Sequence, residues 1–197
     1  MIILDAAFAH PRGLLGYLGG IIMARSTGQR NAWTISLLDI QADDRILEVG
    51  CGPGALIQML AASATDGLIV GIDSSPVMLE QAAKRNAQTM YSGRVQLHQG
   101  SAIALPFDDA SFDTVLSANS VPFWPDQLAG VQEMRRVLKP GGLIAIVLQP
   151  VWAKTDDDVR AIGADLLSLL ARAGFQSTRL EFKPMKPIAS VCALGIS

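Results

Sequence analysis

The sequence predicts an α/β fold: a mostly parallel sheet with helices on both faces, preceded by a helical extension. Three observations lead there. Residues 46–54 read ILEVGCGPG, an apolar run ending in three glycines spaced two apart (Gly50, Gly52, Gly54), and residues 55–62 then carry helix-type periodicity. That is strand, tight glycine turn, helix, the opening unit of a nucleotide-binding sheet. Apolar runs alternate with amphipathic stretches as far as residue 174, the order of repeated βα units. Two further short runs close the chain as a hairpin-like pair.

The extension comes first. Residues 12–25 and 29–40 both have helical spacing, the second with Trp33, Leu37 and Leu38 three and four apart. Gly13, Gly16, Gly19 and Gly20 weaken the first helix by up to about 1 kcal/mol each. Residues 1–41 form this extension and 42–197 the core of a single domain. The extension either covers a sheet edge or acts as a lid that keeps water from a substrate.

Composition bounds what the core does. With 197 residues, half of them hydrophobic, the chain suffices for one well-buried domain and is short for two. Charged residues are 17% and mean hydropathy is +0.32. That leaves apolar surface for a partner subunit (a homodimer), a lid or a membrane surface, unless the core is simply rich in Ala and Leu. A net charge of −2 gives no footprint for nucleic acid. Cys51 and Cys192 make neither a disulfide framework nor a metal cluster, and read as free thiols of a cytoplasmic protein. The apolar run 14–24 is too short to span a bilayer; with Asp5 before it and no basic segment, it is not a signal peptide.

Along the core, residues 67–73 (GLIVGID) form a second strand that ends in an acid roughly 20 residues after the glycine loop. A carboxylate there can accept both hydroxyls of a ribose, or cap the next helix, for which Ser75 and Pro76 already supply an N-cap and first-turn pair. A helix follows over 76–89, with Val77, Leu79, Ala82, Ala83 and Asn86 on one stripe. Residues 94–98 alternate as a third strand, with His98 a strand-edge residue. After a loop at 100–109 come a strand over 112–118, a helix over 126–138 that stops at Lys139-Pro140-Gly141-Gly142, and an apolar strand over 143–148. The last long helix covers 156–173 with Gly174 as its C′ residue, and strands near 178–182 and 189–196 end the chain.

Four blocks in this order resemble the class I S-adenosylmethionine-dependent methyltransferases, in particular the small-molecule subgroup that includes the ubiquinone and menaquinone biosynthesis enzymes. They are ILEVGCGPG (46–54), GIDSSPVMLEQA (71–82), LPFDDASFDTVLSAN (105–119) and EMRRVLKPGGLIAIV (133–147). The resemblance implies a Rossmann-like sheet of seven strands, the last antiparallel, with S-adenosylmethionine across the carboxyl ends of the first strands and S-adenosylhomocysteine as product. By the same resemblance, Glu48, Gly50, Gly52 and Gly54 hold the methionine half and Asp73 the ribose hydroxyls. Ser74, Met78, Ser101 and Ala102 surround the adenine, and Asn119 and Ser120 face the methionine amino group and the substrate. Relatives usually read Gly-Asp-Ala where Gly100, Ser101 and Ala102 stand; a hydroxyl in place of the carboxylate weakens that contact.

Two rival readings stand beside it. Gly50, Gly52 and Ala55 also satisfy the fingerprint of an NAD(P)-dependent oxidoreductase, against which count Pro53, lacking an N–H where a pyrophosphate wants donors, and the acid at Glu48. A non-catalytic S-adenosylmethionine-binding protein is the other, since methyl transfer needs few dedicated residues. In the enzyme reading the protein aligns a small, apolar acceptor in line with the methyl–sulfur bond and excludes water. His10 is then the candidate general base, and Tyr17, Phe123 and Trp124 are candidate walls of the acceptor pocket.

Overall fold

The computed structural model describes residues 27–197. The helix expected over 12–25, together with His10, Tyr17 and most of the extension, lies outside the described residues. The extension's second helix is α1 (Gly28–Ser36). It stops at Ser36 rather than residue 40 because the Ser36 hydroxyl turns back to the Trp33 carbonyl (2.7 Å) and Asp39 adopts a left-handed backbone with φ +47°.

Seven strands form one sheet. They are β1 (Arg45–Val49), β2 (Leu68–Asp73), β3 (Val95–Gln99), β4 (Phe112–Ala118), β5 (Leu138–Leu148), β6 (Gln176–Lys183) and β7 (Ser190–Ile196), in spatial order β3-β2-β1-β4-β5-β7-β6. The first five are parallel; β7 is antiparallel to both β5 and β6. The order reverses between β1 and β4, so the carboxyl ends of those strands open a crevice where ligands of such sheets bind.

The pleat sends alternate residues to opposite faces, and each face has its own helices. On one, Leu47, Val70, Val115 and Ile144 meet α5 (Gln127–Val137) and α6 (Asp156–Arg172) through Val131, Met134, Leu166 and Leu170. On the other, Ile46, Ile69, Leu116 and Ala145 meet α2 (Ala55–Ser63) through Leu56, Ile57 and Leu60, with Leu38 after α1 completing the layer. Glu48, two residues beyond Ile46, points to this second face.

Two expectations need correction. The helix over 76–89 is broken into α3 (Pro76–Arg85) and α4 (Ala87–Tyr91) by Asn86, whose carboxamide nitrogen bonds back to Ala82 O (2.9 Å) and across to Gly54 O (3.1 Å). And β5 begins at Leu138, not residue 143. Residues 139–142 bulge opposite Asp113, as the pairing passes from Phe112–Leu138 to Thr114–Leu143. Gly142 is required there, since a Cβ would press on the Asp113 carbonyl at 2.9 Å, and Asp113 fixes the bulge by accepting from Lys139 Nζ (2.7 Å) and Arg45 N (2.9 Å). Among the described residues no helix is long and apolar enough to cross a membrane, and no cluster of metal-ligating side chains occurs.

Candidate functional site

The glycine loop leaves β1 with three left-handed residues, Gly50 (φ +77°), Gly52 (+52°) and Gly54 (+73°), a conformation that costs other residues about 1–2 kcal/mol each. Five bonds hold it. Gly50 N and Cys51 N donate to Ile72 O (2.8 and 3.1 Å) and Gly52 N to Asp73 Oδ2 (2.8 Å). Arg85 Nε reaches Pro53 O (3.0 Å), and Asn86 reaches Gly54 O. The loop is therefore clamped from the end of α3, whose two residues sequence reasoning passed over because Arg85 reads as a surface cation and Asn86 as part of a helix stripe.

Each glycine has a different neighbour. A Cβ on Gly50 would overlap the Ser120 hydroxyl, and one on Gly54 would meet Asn86 Nδ2 at 2.7 Å and Ala82 Cβ at 2.8 Å. A Cβ on Gly52 would meet nothing within 4 Å, so this glycine alone faces open space.

Asp73 sits at the end of β2, and the helix that follows is capped by Ser75 rather than by Asp73. Its Oδ1 accepts from Ser75 N and its Oδ2 from Gly52 N, both at 2.8 Å, so it ties the loop to the start of α3 and keeps lone pairs for a ligand. Burial raises its pKa despite those amide donors. Ser75 is the N-cap of α3, accepting from Met78 N at 3.4 Å; Met78 is buried and Ser74 exposed.

Glu48 is 2% exposed, and burial pushes its carboxyl well above the usual range, with Arg30 and an N–H from Ile57 opposing and Asp73 adding to the rise. Its Oε2 has no hydrogen-bond partner. Arg30, in the first turn of α1, is also buried at 6% exposed; burial lowers its guanidinium to about 10, opposed by Glu48. The sequence analysis missed Arg30, a lone cation on a helix whose apolar spacing was carried by other residues. Cys51, within the loop, is buried, and burial together with the Glu48 and Asp73 carboxylates pushes its thiol well up.

On the far side of the crevice, Ser101 is exposed and its hydroxyl accepts from Ile103 N (3.4 Å) within a small turn, while half-buried Ala102 packs on the core. Asn119 takes φ +56° just past β4, and its side-chain oxygen accepts from Gln149 N at 2.7 Å. Gln149 in turn donates to Lys186 O (3.0 Å) and Ile188 O (3.1 Å), linking the loops after β4, after β5 and before β7. Ser120 accepts from the Trp124 indole N–H at 2.9 Å, and that indole lies on Gly130, where a Cβ would come within 2.5 Å. Phe123 is 41% exposed beside it, and Val151 and Trp152, on the loop after β5, are also exposed.

The residues named from sequence thus split. Glu48, the three glycines, Asp73 and Ser120 converge on the crevice; the Asn119 side-chain oxygen is committed to Gln149, and the Ser101 hydroxyl to its own turn.

A methyltransferase-domain family model matches residues 46–142, from β1 into the bulge of β5. The methyltransferase YdaC of Bacillus subtilis is 38% identical over 177 residues, which cover 89% of this chain and 96% of that protein. The chain belongs to the class I S-adenosylmethionine-dependent methyltransferases. The 27-O-demethylrifamycin SV methyltransferase of Amycolatopsis mediterranei is 32% identical over 148 residues, 72% of this chain and 54% of its own length. The demethylmenaquinone methyltransferase of Staphylococcus epidermidis is 36% identical over 120 residues, 59% and 48%. This methyltransferase therefore spans about half the length of the latter two. A chain of the Haloferax volcanii complex between the Trm112 methyltransferase activator and a methyltransferase shares the fold, with a TM-score of 0.75 at 16% identity over 88% of this chain and 92% of that one. The oxidoreductase alternative falls away.

The methyl donor of this methyltransferase is S-adenosylmethionine, and the crevice fits it. The open face of Gly52 leaves room for a ligand against the backbone. The acids that border the loop, one with an unpartnered buried oxygen, suit a molecule bearing a sulfonium and an ammonium.

Proposed function

We propose that this methyltransferase methylates a small, apolar molecule by in-line displacement. In this reading Glu48, Gly50, Gly52 and Gly54 hold the methionine half of the donor, Asp73 the ribose, and Ser74, Met78, Ser101 and Ala102 the surroundings of the adenine. Asn119 and Ser120 lie between donor and acceptor, and Phe123 and Trp124 wall the acceptor side. When bound, the donor supplies a methyl group already activated by its sulfonium.

The protein's own residues orient and desolvate. Ser120 presses against Gly50 and takes the Trp124 N–H, so the acceptor wall is braced on the donor loop itself. Orientation of two reactants in this manner removes about 7–11 kcal/mol of barrier. The observation that carries the apolar acceptor is the set of exposed side chains on the loops after β4 and β5, Phe123, Val151 and Trp152, at the carboxyl edge. The relatives named for demethylrifamycin and demethylmenaquinone support a small molecule. Two buried free thiols support a reducing, cytoplasmic location, and the low share of charged residues supports a homodimer.

The test is single-turnover transfer of labelled methyl from the donor to a cell metabolite extract, followed by partition between water and organic solvent. Label in the organic phase is the expected result. Label confined to water-soluble products would overturn the apolar acceptor, and no transfer at all would leave a binding protein.

A further inference from the structure

Three loops besides the glycine loop leave the sheet at its carboxyl edge, and one residue joins them. Because β7 is antiparallel to both β5 and β6, β6 runs in the direction of β5, and residues 184–189 emerge beside residues 149–155. Val191 stands between the two strand ends, in register with Leu148 on one side and Phe182 on the other. Gln149 N donates to Asn119 Oδ1 (2.7 Å), and the Gln149 carboxamide nitrogen donates to Lys186 O (3.0 Å) and Ile188 O (3.1 Å).

The fold does not need the two carboxamide bonds. Lys186 is exposed, and exchanging a bond to water for a bond to Gln149 adds little to stability. What the bonds add is order. Residues 184–189 form neither strand nor helix, and their other ties are Ile188 and Ala189 against the core and the Ser190 hydroxyl on Met185 Sδ (3.3 Å). The loop after β5 is closed on itself, Val151 N on Gln149 O (2.9 Å) and Ala153 N on Pro150 O (2.8 Å), and presents Val151 and Trp152 to solvent. At the third loop, the left-handed backbone of Asn119 leads into Ser120, which meets Gly50 and Trp124. Gln149 thus ties the exposed apolar side chains of this edge to the residue that precedes the Ser120 contact.

We propose that Gln149 is a positioning residue for the acceptor: it holds the loops after β4, β5 and β6 as one preformed wall, so that the acceptor meets loops already ordered. This rests on the acceptor lying at this edge, as proposed above. Order supplied in advance is order that binding does not have to create, so it favours the acceptor. It leaves the donor, held on β1 and β2 in the same reading, unaffected.

The test compares wild-type protein with Gln149→Leu, which keeps the backbone N–H to Asn119 and removes both carboxamide bonds, and with Gln149→Lys, which returns donors on a flexible stem. Transfer of labelled methyl from S-adenosylmethionine to the organic-solvent fraction of a metabolite extract is followed over a dilution series of that extract. Loss of two bonds should raise the amount of extract giving half-maximal transfer about 5- to 150-fold in Gln149→Leu, with part of the shift recovered in Gln149→Lys. Calorimetric affinity for S-adenosylhomocysteine should stay within about twofold, and amide hydrogen exchange should quicken in residues 184–189 but not in residues 45–73. If Gln149→Leu does not fold, the near-isosteric Gln149→Glu, which has no N–H to donate, carries the same comparison. An equal loss of S-adenosylhomocysteine affinity would make Gln149 a support of the whole fold, and an unchanged half-maximal point would show that the acceptor does not use the ordered loops; both overturn the inference. Wild-type protein that binds S-adenosylhomocysteine but labels nothing in the organic fraction would instead defeat the apolar-acceptor reading, and this inference with it.

Discussion

Replacing Gly52 by alanine separates the stability of the glycine loop from its use. At φ +52° an alanine pays the left-handed strain, about 1–2 kcal/mol, but its methyl meets no protein atom within 4 Å, and its N–H still reaches Asp73. Gly52→Ala should therefore unfold in urea with about 1–2 kcal/mol less stability and an unchanged slope. Its methyl, however, enters the space read as the donor's. Forcing one extra carbon into a close-packed contact costs about 1–3 kcal/mol, or about 5- to 150-fold in affinity for S-adenosylhomocysteine by calorimetry. Gly50→Ala reverses the balance. It carries the same strain and also drives a Cβ into Ser120, whose hydroxyl is held by Trp124, so its stability loss should exceed that of Gly52→Ala by about 1–3 kcal/mol. Gly52→Ala protein that binds S-adenosylhomocysteine as tightly as wild type would refute the placement of the donor over this glycine. Equal destabilisation by the two variants would refute the difference in their neighbours.

Asn86→Ala removes both bonds from the carboxamide nitrogen, one of them to the loop. A cost of about 1–2 kcal/mol should appear as a fall in Tm of about 2–8 °C in a thermal scan. Glu133 accepts from Arg136 (2.7 Å) and from Leu105 N (2.8 Å), which hold its carboxyl below the usual range. A depressed folded pKa means stability that is present above the ordinary glutamate range and lost as pH falls through it. Glu133→Gln should thus be less stable than wild type at pH 7, by under about 1 kcal/mol, and the gap should close in acid; a gap that widens in acid would contradict the sign. Both thiols are buried, with Cys192 pushed up to about 12. A thiol-disulfide reagent at mild alkaline pH should react with Cys51 and Cys192 only after denaturant is added, and rapid native labelling would show that the loop opens.

Where local chemistry decided the backbone, the sequence was legible. Residues 112–118 were read as a strand and are β4 to the residue, because Phe112, Val115 and Leu116 fill a core and the flanking loop is polar. Ser75-Pro76 marked the start of α3 and Gly174 the end of α6, since caps depend on one or two side chains. The three glycines and Asp73 stand out by their spacing, whereas Glu48 is singled out only through the family resemblance. What could not be read depends on partners distant in sequence. Asn86 looks like one more stripe position until Gly54 stands opposite it. Lys139-Pro140-Gly141-Gly142 does end a helix, but only Asp113 turns it into a strand bulge. Arg30 is one polar residue in a helix, and its burial depends on what α1 packs against. Gln149 gains meaning only once three loops meet around it.

The place of β5 has a consequence for how the chain is made. Residues 143–148, LIAIVL, pair with β4 on one side and with β7 on the other, and Ser197 completes the ladder through Gly141 and Gly142. The strands around the glycine-loop crevice, β1 to β4, can assemble as residues 45–118 leave the ribosome. β5 can then join β4, but its other edge waits for residues 190–197. At about 5–20 residues per second, that interval is several seconds long. Throughout it, the most apolar strand of the sheet is an open edge, the kind that pairs with whatever chain is nearby. From the completion of β5 until β7 arrives, that edge stays open to such pairing.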